Sequence, residues 1–221
     1  MLGYALGSKN RFLDNRLQVN AEGFYYDYKD YQLSYNDPNT GQQTILNAPK
    51  VVIYGLDLDS IFQLTPTDRV SGSLELLSAK IAEFSSPPTF TTTQDWANST
   101  VLLPGGSNLH GYDLIEAPHV SWNLAYDHTW TFAAGASLAA RIDNTFESSH
   151  WGEFEHPVST LSPASYKTNF NLTYSAPENR WHVSAYVLNI ENAIEFGQGS
   201  PAAAVFIFPP RTYGVKLGFN F

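Results

Sequence analysis

Residues 149 to 156 read SHWGEFEH, placing His150, Glu153, Glu155 and His156 within seven residues of one another. Imidazoles and carboxylates together can ligate a metal ion or a metal chelate. No strand or helix period fixes these four on one side, so the stretch reads as a solvated loop with a rim tryptophan, and no metal is assigned to it. A second set, Asp57, Asp59, Glu75 and Asp143, could supply an acid and a base for hydrolysis. Asp57 and Asp59 are two residues apart, however, and on a strand that spacing puts both on one face, wetting a surface rather than dividing acid and base roles. There is no Gly-rich phosphate loop, nucleophile elbow or zinc helix motif. The absence of cysteine removes thiolate sites and disulfide frameworks. The residues with chemical potential therefore point to a protein that is not an enzyme and needs no cofactor.

The elements that would hold these side chains are strands. The 221 residues are 43% hydrophobic and 14% aromatic, with 13 Tyr and 14 Phe against one Met, a supply suited to a sheet rather than a helical bundle. A net charge of -9 leaves no basic stripe to neutralise phosphates, so nucleic acid is excluded as a partner. The longest apolar run, AAAVFIF at 202 to 208, ends at Pro209 and Pro210 and is too short for a membrane helix. The opening MLGYALGSKNRFL lacks a charged segment followed by an apolar one, so no export signal is read from it.

Strict alternation appears at the end of the chain. Tyr213, Val215, Leu217, Phe219 and Phe221 alternate with Thr212, Gly214, Lys216, Gly218 and Asn220, the mark of a strand between an oily and a wet medium. The same rhythm gives nine strands. Two flank Asp14 and Asn15, two flank residues 66 to 69, and two flank a turn expected at Asp127, His128 and Thr129, with Trp130 to Glu147 as one strand; two flank residues 176 to 179, and the last is C-terminal. Short turns alternate with long connections, at about 36 to 43, 85 to 117, 148 to 164 and 191 to 210, which is the plan of an up-and-down outer-membrane barrel with short periplasmic turns and long extracellular loops. The run FYYDYKDY at 24 to 31, with Trp122, Tyr126, Trp130, Trp151 and Trp181, is expected to form interfacial girdles. Within the longest connection, Trp96 and Tyr112 are the candidate ligand contacts.

Five stretches in order, NRLQVNAEGFYYDYKDYQ, NAPKVVIYGLDLD, APHVSWNLAY, YVLNIENA and PRTYGVKLGFNF, resemble the C-terminal part of the barrel of TonB-dependent receptors, over almost the whole chain. The resemblance implies an all-β, antiparallel transmembrane barrel segment spanning residues 1 to 221, with about nine of about 22 strands. Some 13 strands, the plug domain and the TonB-contacting segment would then lie outside this sequence. It further implies a Gram-negative outer-membrane receptor whose intact form takes up a scarce solute such as a siderophore-iron, cobalamin or glycan. The expected partners are outer-membrane lipid, that small-molecule substrate, and the TonB complex through the missing part. The barrel-assembly machinery would read Tyr213, Val215, Leu217, Phe219 and Phe221. The alternatives are a self-contained small outer-membrane barrel acting as a pore or adhesin, and a soluble β-barrel or β-sheet binding protein with its apolar faces turned inward.

Overall fold

The computed structural model describes residues 1–36, 43–84, 93–95, 99–101, 108–153, 156, 160–194 and 207–220. Nine antiparallel strands form one sheet in sequence order: β1 Leu2–Phe12, β2 Leu17–Asn36, β3 Gln43–Thr65, β4 Asp68–Glu83, β5 Val120–Thr131, β6 Ser137–Glu147, β7 Ser165–Ser175, β8 Trp181–Leu188 and β9 Thr212–Phe219. Two small ribbons, Thr93–Asp95 with Ser99–Val101 and His150–Trp151 with Leu161–Ser162, sit in the long connections. β1 and β9 are the two ends of the strand order, so among the described residues the sheet is open. No helix of the described residues is long and apolar enough to cross a membrane.

The short turns use left-handed backbone. Leu13, Asp14 and Asn15 have φ of 54°, 54° and 67°, and Glu178 and Asn179 have 56° and 55°; Asp and Asn tolerate this region because their short polar side chains bond locally. One turn differs from the sequence expectation. β5 runs through Asp127, His128 and Thr129, and the chain reverses at residues 132 to 136, where Ala134 (φ 65°) and Gly135 (φ 82°) take the left-handed positions. The three residues have turn-like composition, but partners across the ladder satisfy two of them. Asp127 accepts from Arg69 at 3.1 Å and Arg141 at 2.9 Å, and His128 Nδ1 lies 2.5 Å from the Asp68 carboxylate. Phe132, Ala134 and Ala136 therefore lie in the turn and not on a strand face.

The register shows how the strands lean. One ladder row runs Phe12, Leu17, Phe62, Val70, Tyr126, Ile142, Phe170, Val187, Tyr213. Phe12 adjoins its turn at Leu13, whereas Val187 stands 187 − 179 = 8 positions above Asn179. Over seven strand steps that is a stagger of about one residue per strand, the shear that tilts strands in a barrel wall.

Alternation divides the sheet into two faces. One carries Leu6, Val19, Leu56, Leu74, Leu124, Ile142, Leu172, Val183 and, on β9, Tyr213, Val215, Leu217 and Phe219, which are 77%, 71%, 60% and 58% exposed. They are not packed in a closed core. The other face carries Asn20, Asp57, Glu75, Asn123, Arg141, Asn169 and Lys216. Among the described residues a buried cluster forms near the long loops, on this second face, where Val51, Ala79 and Ile81 of β3 and β4 pack with Leu109 and Leu114 of the segment that continues beside β4.

The aromatic run of β2 also departs from expectation. Alternation leaves Tyr25 on the apolar face but turns Phe24, Tyr26 and Tyr28 to the polar face, where Phe24 and Tyr26 stack at 5.5 Å and Tyr26 meets Tyr28 edge-on at 6.3 Å. Glycines make room for this ladder: a Cβ on Gly55 would lie 2.6 Å from the Phe24 ring, and one on Gly3 would lie 2.7 Å from Tyr26. Only Tyr25 of the run joins the apolar-face aromatics Tyr4, Tyr54, Trp122, Phe146 and Tyr166, which stand about 9 to 12 residues from the short turns, the length that crosses a bilayer. Trp130, Trp181 and Phe219 mark the turn end of the same face.

Candidate functional site

Two places on the polar face concentrate polar chemistry. The first is the wall itself. Gly7, Glu22, Asp57, Glu75, Ser121, Glu147 and Ser165 share one ladder row, so four of these seven members are carboxylates. An open concavity of about 380 Å³ lies along this row, lined by Asp57, Asp59, Glu75, Asn123 and Glu147 among others. Ser121 donates to Glu75 at 3.1 Å. Closer to the short turns, Arg141 bridges Asp127 at 2.9 Å and Asp143 at 3.6 Å, Arg69 shares Asp127, and Asn169 donates to Asp143 at 2.9 Å. Asp143 is thus a member of an arginine network, apart from Asp57, Asp59 and Glu75, which face the open concavity. Water and fixed ions suit such a surface; a general acid paired with a nucleophile does not arise from it.

The second place is the rim at the long-loop end. Tyr112 lies half-buried against the Val51–Ile81 cluster, held by backbone pairing of Ile81 N–H to the Tyr112 carbonyl at 2.8 Å. The imidazole of His156 stacks on Tyr112 at 4.7 Å between centroids and on Trp151 at 4.5 Å with 5° between planes. His156 Nε2 donates to the Asp113 carbonyl at 2.9 Å, which fixes the ring in the stack. Burial holds the His156 pKa below its usual range, partly offset by the Asp113 carbonyl and carboxylate. Burial also pushes the Glu153 carboxyl up to about 7. Burial at the rim therefore favours the uncharged form of both groups, the neutral imidazole and the neutral carboxyl.

The candidates from the sequence fare unequally. Tyr112 joins His156, one of the four residues of SHWGEFEH, in a single aromatic stack. His150 turns elsewhere, with Nδ1 3.3 Å from the Ser148 carbonyl. Glu155, Trp96 and Phe221 lie outside the described residues. Among the described residues, no three His, Asp or Glu side chains converge as a metal site would require. Tyr213, Val215, Leu217 and Phe219 share one face of β9, paired on β8 with Val187, Ala185, Val183 and Trp181. The stack of Tyr112, His156 and Trp151 and the Arg69–Asp127–Arg141 bridge were not legible in the sequence, because Tyr112 lies far along the chain from the other two rings and the bridge is joined only by ladder register; the strand parity of Arg69 and Arg141 was the one available signal.

A family model described as TonB dependent receptor-like, beta-barrel matches residues 2–190. Comparison with curated proteins finds no match. Among solved structures, the ferric yersiniabactin uptake receptor FyuA from Yersinia pestis superposes with a TM-score of 0.72 at 18% identity, over 99% of this chain and 29% of that one. BauA, the ferric preacinetobactin receptor from Acinetobacter baumannii, gives 0.69 at 15% identity over 99% and 29%. The copper transporter OprC gives 0.68 at 16% identity over 99% and 31%. The chain thus spans less than a third of each of these proteins, and at such identities the likeness concerns the fold. With most of its length matched by the family model and nine staggered antiparallel strands dividing an apolar face from a polar one, the chain belongs to the TonB-dependent receptor-like β-barrel family.

Proposed function

We propose that these nine strands form part of the wall of an outer-membrane receptor that imports a scarce solute, a ferric siderophore being the first class to test. The observation that carries this reading is the division of one sheet: a continuous apolar face ending in aromatics about ten residues above the short turns, and a wet, charged opposite face. The first would contact lipid hydrocarbon and the second the barrel lumen or a plug. The names of the similar structures, two ferric siderophore receptors and a copper transporter, support metal-bearing cargo. In such a protein further strands satisfy the edges of β1 and β9, since hydrocarbon offers no hydrogen-bond partner. Coupling to TonB would come through a plug not contained in residues 1 to 221. The chain contributes wall, rim loops and the stretch from β9 to residue 221, whose Tyr213, Val215, Leu217, Phe219 and Phe221 the assembly machinery would read. No covalent chemistry is asked of it.

Fractionation tests the location. Produced with an export leader in a Gram-negative host, the chain should sediment with the outer membrane and need detergent for extraction; recovery as a monodisperse protein without detergent would contradict the reading. Vesicles holding this chain alone should not concentrate a ferric siderophore, and concentrative uptake would show that nothing beyond these strands is needed.

A further inference from the structure

Three of the chain's six lysines, Lys29, Lys50 and Lys80, gather on the apolar face just past its Tyr4, Tyr25 and Tyr54 row. Lys29 and Lys50 are ladder partners, directly opposite one another on β2 and β3, and Lys80 follows two ladder rows lower on β4, opposite Val52. Like charges placed opposite in this way repel unless an anion lies between them. The carboxylates of this face only partly serve: Asp27 lies 3.6 Å from Lys50, and Asp113 lies 3.3 Å from both Lys80 and His119. Glu83 is opposite Lys50 on its other side. Lys29 is exposed and has no ion pair among the described residues.

Height identifies the anion. Counted from the short turns, Tyr25 is 25 − 15 = 10 positions up and Tyr54 is 66 − 54 = 12, while Lys29 is 29 − 15 = 14, Lys80 is 80 − 67 = 13 and Lys50 is 66 − 50 = 16. At about 3.3 Å per residue and a tilt of roughly 45°, the tyrosines stand near 25 Å and the ammonium groups about 5 to 10 Å higher. The first is the top of a hydrocarbon band and the second is the level of lipid phosphate. Lysine stems lie along apolar surface while the heads reach the polar layer, and the phenols of the row below can donate to the same oxygens.

We propose that the outward surface of β2, β3 and β4, built on Lys29, Lys50 and Lys80 above Tyr4, Tyr25 and Tyr54, binds the phosphate of an outer-leaflet lipid headgroup. The proposal rests on the reading that this face lies against lipid. Its test is native mass spectrometry of the full chain in detergent with lipid A, with the same lipid stripped of its phosphates, and with inorganic phosphate as competitor. The phosphorylated lipid should be retained about tenfold better than the stripped one, and the double substitution Lys29→Gln with Lys50→Gln should abolish that preference, while Lys9→Gln on the polar face leaves it intact. Equal retention of both lipids, an unchanged double variant, or displacement by equimolar inorganic phosphate would overturn the proposal. Far-UV circular dichroism checks that each variant keeps its strands, and Lys50→Arg, which keeps the charge, should restore the preference if repeated in place of Lys50→Gln. A fluorophore quenched by brominated lipid at position 217 separates the two failures. Quenching there without phosphate preference ends this proposal alone; no quenching there ends the lipid-facing reading first.

Discussion

On β9, Leu217 and Lys216 are chain neighbours, yet the account assigns them to different solvents: Leu217 continues an apolar surface that crosses the whole sheet, and Lys216 stands over the Tyr186 ring at 5.0 Å on the charged face. The two faces differ in how they tolerate polarity. The apolar face admits polar groups at its margins, at His128 with Asp68 by the short turns and at the lysines by the long loops, and within its band as a bonded pair, Asn144 donating to Thr168 at 2.7 Å beside Leu124. The polar face instead pairs its charges internally, through Arg69, Asp127, Arg141 and Asp143, or leaves them open to water along the Asp57–Glu75 row. One residue of register thus separates a position where a charge is ruinous from one where it is ordinary.

That comparison predicts a ranking of effects. Leu124→Arg, mid-band on the apolar face, should destabilise the vesicle-inserted protein by about 2–4 kcal/mol in urea titration, while Asn123→Arg on the opposite face should change little. Gly55→Leu should cost about 1–3 kcal/mol in the same titration, because its side chain would be forced into Phe24 and the Leu76 carbonyl. Arg141→Ala should cost about 1 kcal/mol or less, since the pair with Asp127 is half-exposed and screened by salt. The smallest effect is a pH response at the rim. The raised Glu153 favours the packed loop while it is protonated, so that contribution is present below about pH 4.5 and fades as pH rises through about 7. The lowered His156 acts oppositely: its contribution is present above its ordinary pKa and is lost as pH falls through the depressed value. Hydrogen exchange of residues 150 to 153, after correction for intrinsic rates, should accordingly speed up as pH rises towards and through about 7, and Glu153→Gln should remove that loss on the alkaline side.

Much of the wall was legible in the sequence because alternation and turn residues act locally; β1, β2, β7, β8 and β9 fall within a residue or two of their expected limits. The misplaced turn at Asp127 to Thr129 shows where that reading stops. Asp127 and His128 look like turn residues until Arg69 and Asp68, 58 and 60 positions away, supply their partners. The aromatic run of β2 erred for a related reason: composition placed all of it at an interface, but parity sends Phe24, Tyr26 and Tyr28 over glycines of neighbouring strands. The rim stack needs residues 112, 151 and 156 brought together by a connection whose path no local pattern encodes.

The central claim is that lipid lies against one face of β9 and water against the other. The chain contains no cysteine, so single nitroxide labels can be placed at residues 215, 216, 217 and 218 without background. In vesicles, electron paramagnetic resonance should show 215 and 217 relaxed by oxygen dissolved in lipid, and 216 and 218 relaxed by a water-soluble nickel chelate. Nickel relaxation at 217 equal to that at 216, or the reverse alternation, would contradict the account.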